Sequence, residues 1–104
     1  MTETTHFSKQ VRDFLHLHGS RATLTRLKIF KELIHYHSAY FEVEDISRNL
    51  QQRNELMATS TVYKTLQQLC LMGLLMNERT TRGAALYKKT DLFKQFQSEH
   101  PPLG

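Results

Sequence analysis

Apolar residues recur at helical spacing in four stretches of this chain, and each stretch predicts one helix. The first helix is expected over residues 8–18 and the second over 23–37, where a threonine can cap its start. The third is expected over 43–50 and the fourth over 59–73. Because each stretch is apolar on one side only, the four helices should pack around a shared core.

The fourth predicted helix has one apolar side and one polar side. At about 100° per residue, Val62, Leu66 and Leu69 fall on the apolar side together with the cysteine Cys70. The opposite side carries a phenol, an ammonium and two amides, from Tyr63, Lys64, Gln67 and Gln68. Such groups can contact phosphates and base edges in the major groove of DNA. This stretch is therefore a candidate recognition helix.

Both ends of the fourth helix have residues that suit a helix terminus. The hydroxyl residues Thr59, Ser60 and Thr61 are expected to cap its start. Gly73 suits the left-handed turn that closes a helix. The helix should therefore be a self-contained element.

Two short strand patterns follow this helix and predict a β-hairpin. They cover residues 74–79 and 84–88, and they flank a turn at 80–83 with a basic tip. Helices followed by such a hairpin predict a winged helix-turn-helix, an α-rich α+β fold with a three-helix core, an extra N-terminal helix and a C-terminal wing. In that fold the third helix crosses above the DNA, the fourth enters the groove and the wing lies along the backbone.

The length of 104 residues suits one domain. We assign residues 1–90 to the winged-helix domain and residues 91–104 to a short C-terminal tail. Leu92, Phe93 and Phe96 have the spacing of a short amphipathic helix in that tail. The two phenylalanines could cover the core or form an interface. We expect dimerisation through the tail or the first helix.

Positive charge is segregated along the chain. There are 14 Lys and Arg against 10 Asp and Glu, a net charge of +4 that is compatible with a polyanionic partner without demonstrating one. Residues 21–31 hold four cations and no acid, 79–94 hold five cations and one acid, and 42–55 hold four acids and two cations. Arg26 lies in the first turn of the second helix, where the helix dipole disfavours a cation and an external phosphate would fit.

Several other functions are disfavoured. Cys70 is the only cysteine, and no signal peptide or membrane span is evident, so a cytoplasmic protein is expected.

The histidine pairs are not expected to form a metal site. His16 and His18 are two residues apart, as are His35 and His37. On a helix the two side chains of each pair point about 200° apart, so they cannot share one metal ion. We find no nucleophile with a base, paired carboxylates or phosphate-binding glycine loop, and expect no enzymatic activity, cofactor or metal.

Two motifs resemble those of the ferric uptake regulator family. They are Arg-Ala-Thr-Leu-Thr-Arg at 21–26, which opens the second helix, and Ser-Thr-Val-Tyr-Lys-Thr-Leu at 60–66, near the start of the fourth. With Gly73 and the wing strand at 83–87, the resemblance covers roughly residues 10–90. It implies a bacterial transcription regulator, expected to be a repressor, whose winged helix binds promoter DNA.

The resemblance also implies roles for individual residues. Tyr63 is similar to a family tyrosine that contacts thymine methyl groups, and Lys64 stands where the family usually has a base-reading arginine. Arg21 resembles a basic side chain that enters the minor groove, and Arg26 resembles the family arginine at the start of the second helix. From these roles and the polar and basic surfaces, we expect DNA contacts from Arg21, Thr23, Arg26, Thr59, Ser60, Thr61, Tyr63, Lys64, Gln67, Arg79 and Arg82.

The chain departs from the family pattern at the positions expected to sense metal. Family members continue into a second domain that dimerises and binds regulatory metal, and we expect this chain to lack it. Where the family draws a histidine before the third helix and a glutamate or histidine from the last wing strand, this sequence has Tyr40 and Lys88. Because a phenol and an ammonium do not replace those ligands, metal sensing by the family mechanism is not expected.

Three functions remain open. The first is sequence-specific binding of double-stranded DNA by a homodimer or with a related regulator, since one small winged helix offers few contacts. The alternative is a protein-interaction module that modulates a full-length relative or another partner. It is favoured by Lys64, which lacks the two-pronged guanidinium that reads guanine. An unassisted metal sensor is a third possibility, which metal analysis of the purified chain would test.

Overall fold

The computed structural model describes residues 2–17 and 23–99, with side chains from residue 9 onwards. Within these ranges the chain forms five helices and a three-stranded antiparallel sheet. The elements are α1 (Thr2–Leu17), α2 (Leu24–His35), β1 (Tyr40–Phe41), α3 (Val43–Gln52), α4 (Thr59–Leu71), β2 (Leu75–Arg79), β3 (Ala85–Lys89) and α5 (Asp91–Glu99). The predicted winged helix-turn-helix of the α-rich α+β class is confirmed.

The strands β2 and β3 form the predicted wing. Their turn closes through a hydrogen bond from the Gly83 N–H to the Thr80 carbonyl at 2.9 Å, and Gly83 has a φ of +84°. Only glycine adopts that left-handed backbone without steric cost. The sheet order is β1-β3-β2, so β1 adds a third strand on the other edge of β3. The strand β3 is therefore paired along both of its edges, with β2 on one side and β1 on the other.

Several helix ends differ from the predictions. The third helix runs to Gln52 instead of residue 50, and the fourth ends at Leu71 instead of residue 73. The first helix begins at Thr2 instead of residue 8, because its first turns contain polar residues that leave no apolar periodicity to read. The second ends at His35, the first of the residues 35–37 in which its end is expected. The hydroxyl cap predicted for α4 is wrong: the N-cap is Ala58, and Thr59, Ser60 and Thr61 lie in the first turn. By contrast, the Oγ1 of Thr23 caps α2 by accepting from the Arg26 N–H at 3.2 Å.

The C-terminal helix packs into the core of the domain. The Phe93 ring lies 5.1 Å from Phe30, and the Phe96 ring lies 4.3 Å from Phe14, measured between centroids. Both α5 phenylalanines are buried. The structure therefore decides between the two predicted roles of this pair, since Phe93 and Phe96 cover the core of their own chain.

No helix within the described ranges is long and apolar enough to cross a membrane.

A buried lysine joins β3 to the end of α2. Lys89 is 4% exposed, and its Nζ donates a hydrogen bond to the Tyr36 carbonyl oxygen at 2.9 Å. The ammonium also lies 5.3 Å from the centroid of the Phe93 ring. Burial, assisted by the charge of Lys94, lowers the pKa of Lys89 from 10.5 to about 8. The group is therefore a charged residue held inside the fold at neutral pH.

Candidate nucleic-acid interface

Helix α4 is fixed along its apolar side. Val62, Leu66 and Leu69 are fully buried, and α4 packs against α3 and β2. Its end is closed by Gly73, which has a φ of +80° as predicted. Thr90 then ties this turn to the wing, because its hydroxyl lies 2.7 Å from the carbonyl oxygen of Gly73 and 2.9 Å from that of Leu74. The opposite side of α4 is consequently presented in a defined orientation.

The outward side of α4 carries the side chains predicted to contact DNA. Tyr63 is 46% exposed, and Lys64 beside it is also exposed. Thr59 and Ser60 in the first turn are exposed, and Thr61 is partly so. The helix sequence contains no acidic residue, so no carboxylate on α4 opposes a phosphate there. A hydroxyl-rich helix start, a phenol and an ammonium therefore share one surface.

Gln67 is engaged with the wing. Its amide Nε2 donates a hydrogen bond of 3.0 Å to the phenol oxygen of Tyr87. Tyr87 is fully buried and stacks on Phe41 with 5.9 Å between ring centroids, and burial raises the pKa of its phenol. Sequence reasoning missed this partner, although the alternation of β3 places residue 87 on the inner face. Gln67 thus links α4 to β3 as well as lying beside the exposed surface.

The two predicted arginines of the wing lie near its turn. Arg79 ends β2, and its Nη1 donates to the carbonyl oxygen of Gly83 at 3.3 Å. Arg82 lies in the turn itself and is exposed. The turn is stiffened by the hydroxyl of Thr80, which accepts from the Ala84 N–H at 3.1 Å. The wing therefore presents two guanidinium groups on a structured tip.

The start of α2 is the third predicted contact region. Thr23 is partly buried and its hydroxyl serves as the helix cap. Arg26 is partly buried in the first turn of α2, and that turn contains no acidic residue. Arg21 lies outside the described residues, so its predicted minor-groove contact stays a prediction. The structure therefore places two of the three predicted residues of this region.

Residues 17–100 match the sequence model of the Ferric uptake regulator family. The chain belongs to this family. It is 30% identical over 73 residues to the ferric uptake regulation protein of Pseudomonas fluorescens, a match covering 70% of this chain and 59% of that protein. The chain therefore spans under two thirds of that curated relative. Family members are DNA-binding transcriptional regulators that act as dimers, and they are not enzymes.

Two solved structures of family members resemble this one. The ferric uptake regulator from Pseudomonas aeruginosa with manganese has a TM-score of 0.72 and 28% identity, covering 77% of this chain and 60% of that chain. The ferric uptake regulator of Vibrio cholerae has a TM-score of 0.71, covering 85% of this chain and 83% of that one. Its identity of 21% supports the fold alone.

The residues at the expected metal-sensing positions do not fit a metal ion. Tyr40 and Lys88 are cross-strand partners in β1 and β3. The Lys88 Nζ lies 5.5 Å from the centroid of the Tyr40 ring, a cation–π contact. An ammonium repels a divalent cation, and its nitrogen has no free lone pair to ligate one. Across the part of the chain that the structure describes, no three histidine, cysteine or acidic residues cluster as metal ligands would.

Proposed function

We propose that this chain is a transcriptional regulator that binds double-stranded promoter DNA sequence-specifically, with α4 in the major groove and the wing along the backbone. The observation that carries the proposal is the outward side of α4, where Tyr63 and Lys64 are exposed on an acid-free helix whose other side is buried. Membership of the family supports the same reading.

Each part of the surface has a distinct role in this proposal. Tyr63 contacts a thymine methyl group, and Lys64 contacts a base edge or phosphate as a single positive charge. The first turn of α4, the start of α2 and the wing tip bind phosphates, which position the protein without reading sequence. The phosphate contacts come from Thr23, Arg26, Thr59, Ser60, Thr61, Arg79 and Arg82. Gln67 supports α4 against the wing and borders the groove, and Arg21 enters the minor groove.

Repression by occupancy is the mechanism we propose. A bound dimer would cover promoter DNA and exclude other proteins from it. We propose also that residues 2–99 bind DNA without a metal ion, because Tyr40 and Lys88 form a cation–π pair at the expected sensing positions. The DNA measurements should therefore be made with a chelator present.

The second candidate function is a protein-interaction module that modulates a related regulator. Lys64 favours it, because a lysine cannot form the paired hydrogen bonds with which arginine reads guanine. Selection of bound duplexes from a random pool, followed by affinity measurements from about 50 to 200 mM salt, separates the two functions. DNA binding predicts an enriched motif and higher affinity for it than for its scrambled version. No enrichment, together with co-purification of a related regulator, would favour the interaction module.

Replacing Arg82 with alanine should weaken binding to all duplexes alike. The side chain lies in the wing turn, where it is expected to neutralise one phosphate. The slope of log affinity against log salt should therefore become less steep by about one. Lys94→Ala on α5 removes the same charge elsewhere and serves as the control. A loss confined to the selected sequence, or an equal change in the control, would contradict the phosphate role.

The protein should form a dimer in solution or on DNA. Phe93 and Phe96 are buried in their own chain. The groove between α1 and α5 still presents apolar groups, which are Leu17, 80% exposed, and the half-buried Phe14 and Leu92. In light scattering, Leu17→Glu should lower the measured mass to that of a monomer. Leu71→Glu, at a side chain 85% exposed at the end of α4, should not. A strict monomer with and without DNA would refute the dimer.

A further inference from the structure

A cavity separate from the α4 surface lies between α1, α2 and the end of α3. It has a volume of about 380 Å³, and no α4 or wing residue lines it. Leu27 and Leu50 supply buried apolar surface, and four cations and two carboxylates also line it. Volumes of roughly 300 to 1,000 Å³ are typical of small-molecule sites. The cavity therefore has the size and mixed lining of a ligand site.

One of its carboxylates is buried and incompletely bonded. Glu32 is 4% exposed, and its Oε1 lies 2.8 Å from the Nε of Arg53. That contact is an ion pair without an aligned N–H, and no group within the described ranges donates a hydrogen bond to Oε1. Buried acceptors are normally hydrogen-bonded. A ligand that donates a hydrogen bond to this oxygen would complete its bonding.

The charges around the cavity favour an anion. Lys28 is paired with Glu55, with 2.7 Å between Nζ and Oε2, and Arg53 is paired with Glu32. Along the whole lining, cations outnumber carboxylates four to two, and one of the four is the exposed Arg12 of α1. A surplus of positive charge beside apolar surface attracts an organic anion more strongly than a neutral ligand.

We propose that this cavity binds a small organic acid that carries a hydroxyl group on an apolar body, such as a hydroxybenzoate. The acid group meets the cationic side, the hydroxyl donates to Glu32 Oε1, and the body covers Leu27 and Leu50. Both ion pairs join α2 to residues 53–55, which lead into α4, so the ligand lies against the connection that positions the recognition helix. The proposal does not depend on DNA binding.

Calorimetric titration of the whole chain with benzoate and the three hydroxybenzoates tests this site. At least one hydroxybenzoate should bind saturably and about tenfold more tightly than benzoate, because a hydrogen bond to a charged group is strong. Glu32→Met should remove that preference while benzoate binding persists. Arg12→Gln should lower the affinity for every ligand that binds. Lys9→Gln, an exposed cation on α1 outside the cavity, should change nothing.

Any one of four results would overturn the proposal. The first three are no saturable binding up to about 10 mM, equal affinity for benzoate and every hydroxybenzoate, and equal loss of affinity in the Lys9→Gln and Arg12→Gln variants. Displacement by inorganic phosphate at the same concentration would also overturn it, since the cavity would then be a simple anion site. If Glu32→Met does not fold, methyl NMR shifts of Leu27 and Leu50 in the unmodified chain decide the location. Hydroxybenzoate should move them, and unchanged shifts would place any binding elsewhere.

Discussion

Replacing Tyr63 with alanine should weaken binding to the selected duplex by about 1 to 3 kcal/mol, roughly 5- to 150-fold. The side chain is 46% exposed on a helix whose other side is buried, so its removal changes the outward surface without opening a cavity in the core. Since the ring is proposed to contact a thymine methyl group, the variant should also lose its preference at one position of the site. Fluorescence anisotropy with duplexes substituted at each position measures both effects.

The chain offers a matched control for this experiment. Tyr40 is 45% exposed but lies on β1, so Tyr40→Ala removes a similar ring from a different surface. We expect it to leave the site preference intact. Tyr63→Phe should retain most of the affinity, because the ring and not the hydroxyl touches the methyl group. A Tyr63→Ala variant that binds cognate and scrambled duplexes as the unmodified protein does would exclude Tyr63 from readout.

Replacing Lys89 with methionine should stabilise the domain at neutral pH by about 1 to 3 kcal/mol. Burial lowers the pKa of Lys89 from 10.5 to about 8, a cost to the charged form on the order of 3 kcal/mol at 1.36 kcal/mol per pKa unit. Loss of the hydrogen bond to the Tyr36 carbonyl offsets part of the gain, by about 1 kcal/mol. Urea unfolding monitored by circular dichroism gives the free energy of unfolding of both proteins.

The pH dependence of this difference identifies its cause. Between pH 8 and 10.5 the unfolded chain binds the Lys89 proton more strongly than the folded chain, so this group makes stability rise with pH. The advantage of Lys89→Met should therefore shrink between about pH 7 and pH 9.5. Cys70, whose pKa is raised by burial, is common to both proteins and cancels in the comparison. A variant less stable at pH 7, or an advantage independent of pH, would contradict the buried-charge account.

Lys88→Met is the matched control for that comparison. Lys88 neighbours Lys89 on β3 but is only half-buried, on the opposite face of the sheet beside Tyr40. Its replacement should show little change in stability between the two pH values. This contrast separates burial of the charge from the loss of a positive charge as such.

The arrangement of α4 was predictable because it depends on local pattern. Residues such as Val62 and Leu66 repeat at helical spacing, so the sequence alone places Tyr63 on the exposed side, as the structure confirms. The left-handed turn at Gly73 was predictable for the same reason, since few other residues adopt it. Local conformation and one-sided burial are properties that a short window of sequence contains.

The contacts that complete the site join residues far apart in the chain. Gln67 meets Tyr87 twenty residues later, and the Lys89 ammonium meets a carbonyl at residue 36. The alternation of β3 predicts an apolar residue at the inward-facing position of Lys89. The hydrogen bond to that carbonyl and the contact with the Phe93 ring offset part of the cost of burying its charge. The cavity lined by Glu32 and Arg53 depends likewise on how α2 and α3 pack. Periodicity does not contain such pairings.

An NMR titration of the ¹⁵N-labelled chain with the selected duplex tests most directly whether the outward side of α4 reads DNA. The account predicts that the largest amide shifts fall in residues 59–68 and at the wing turn, with small shifts around Tyr40 on β1. With the scrambled duplex the wing shifts should persist and those near Tyr63 should shrink. Shifts confined to other surfaces, or identical shifts with both duplexes, would contradict it.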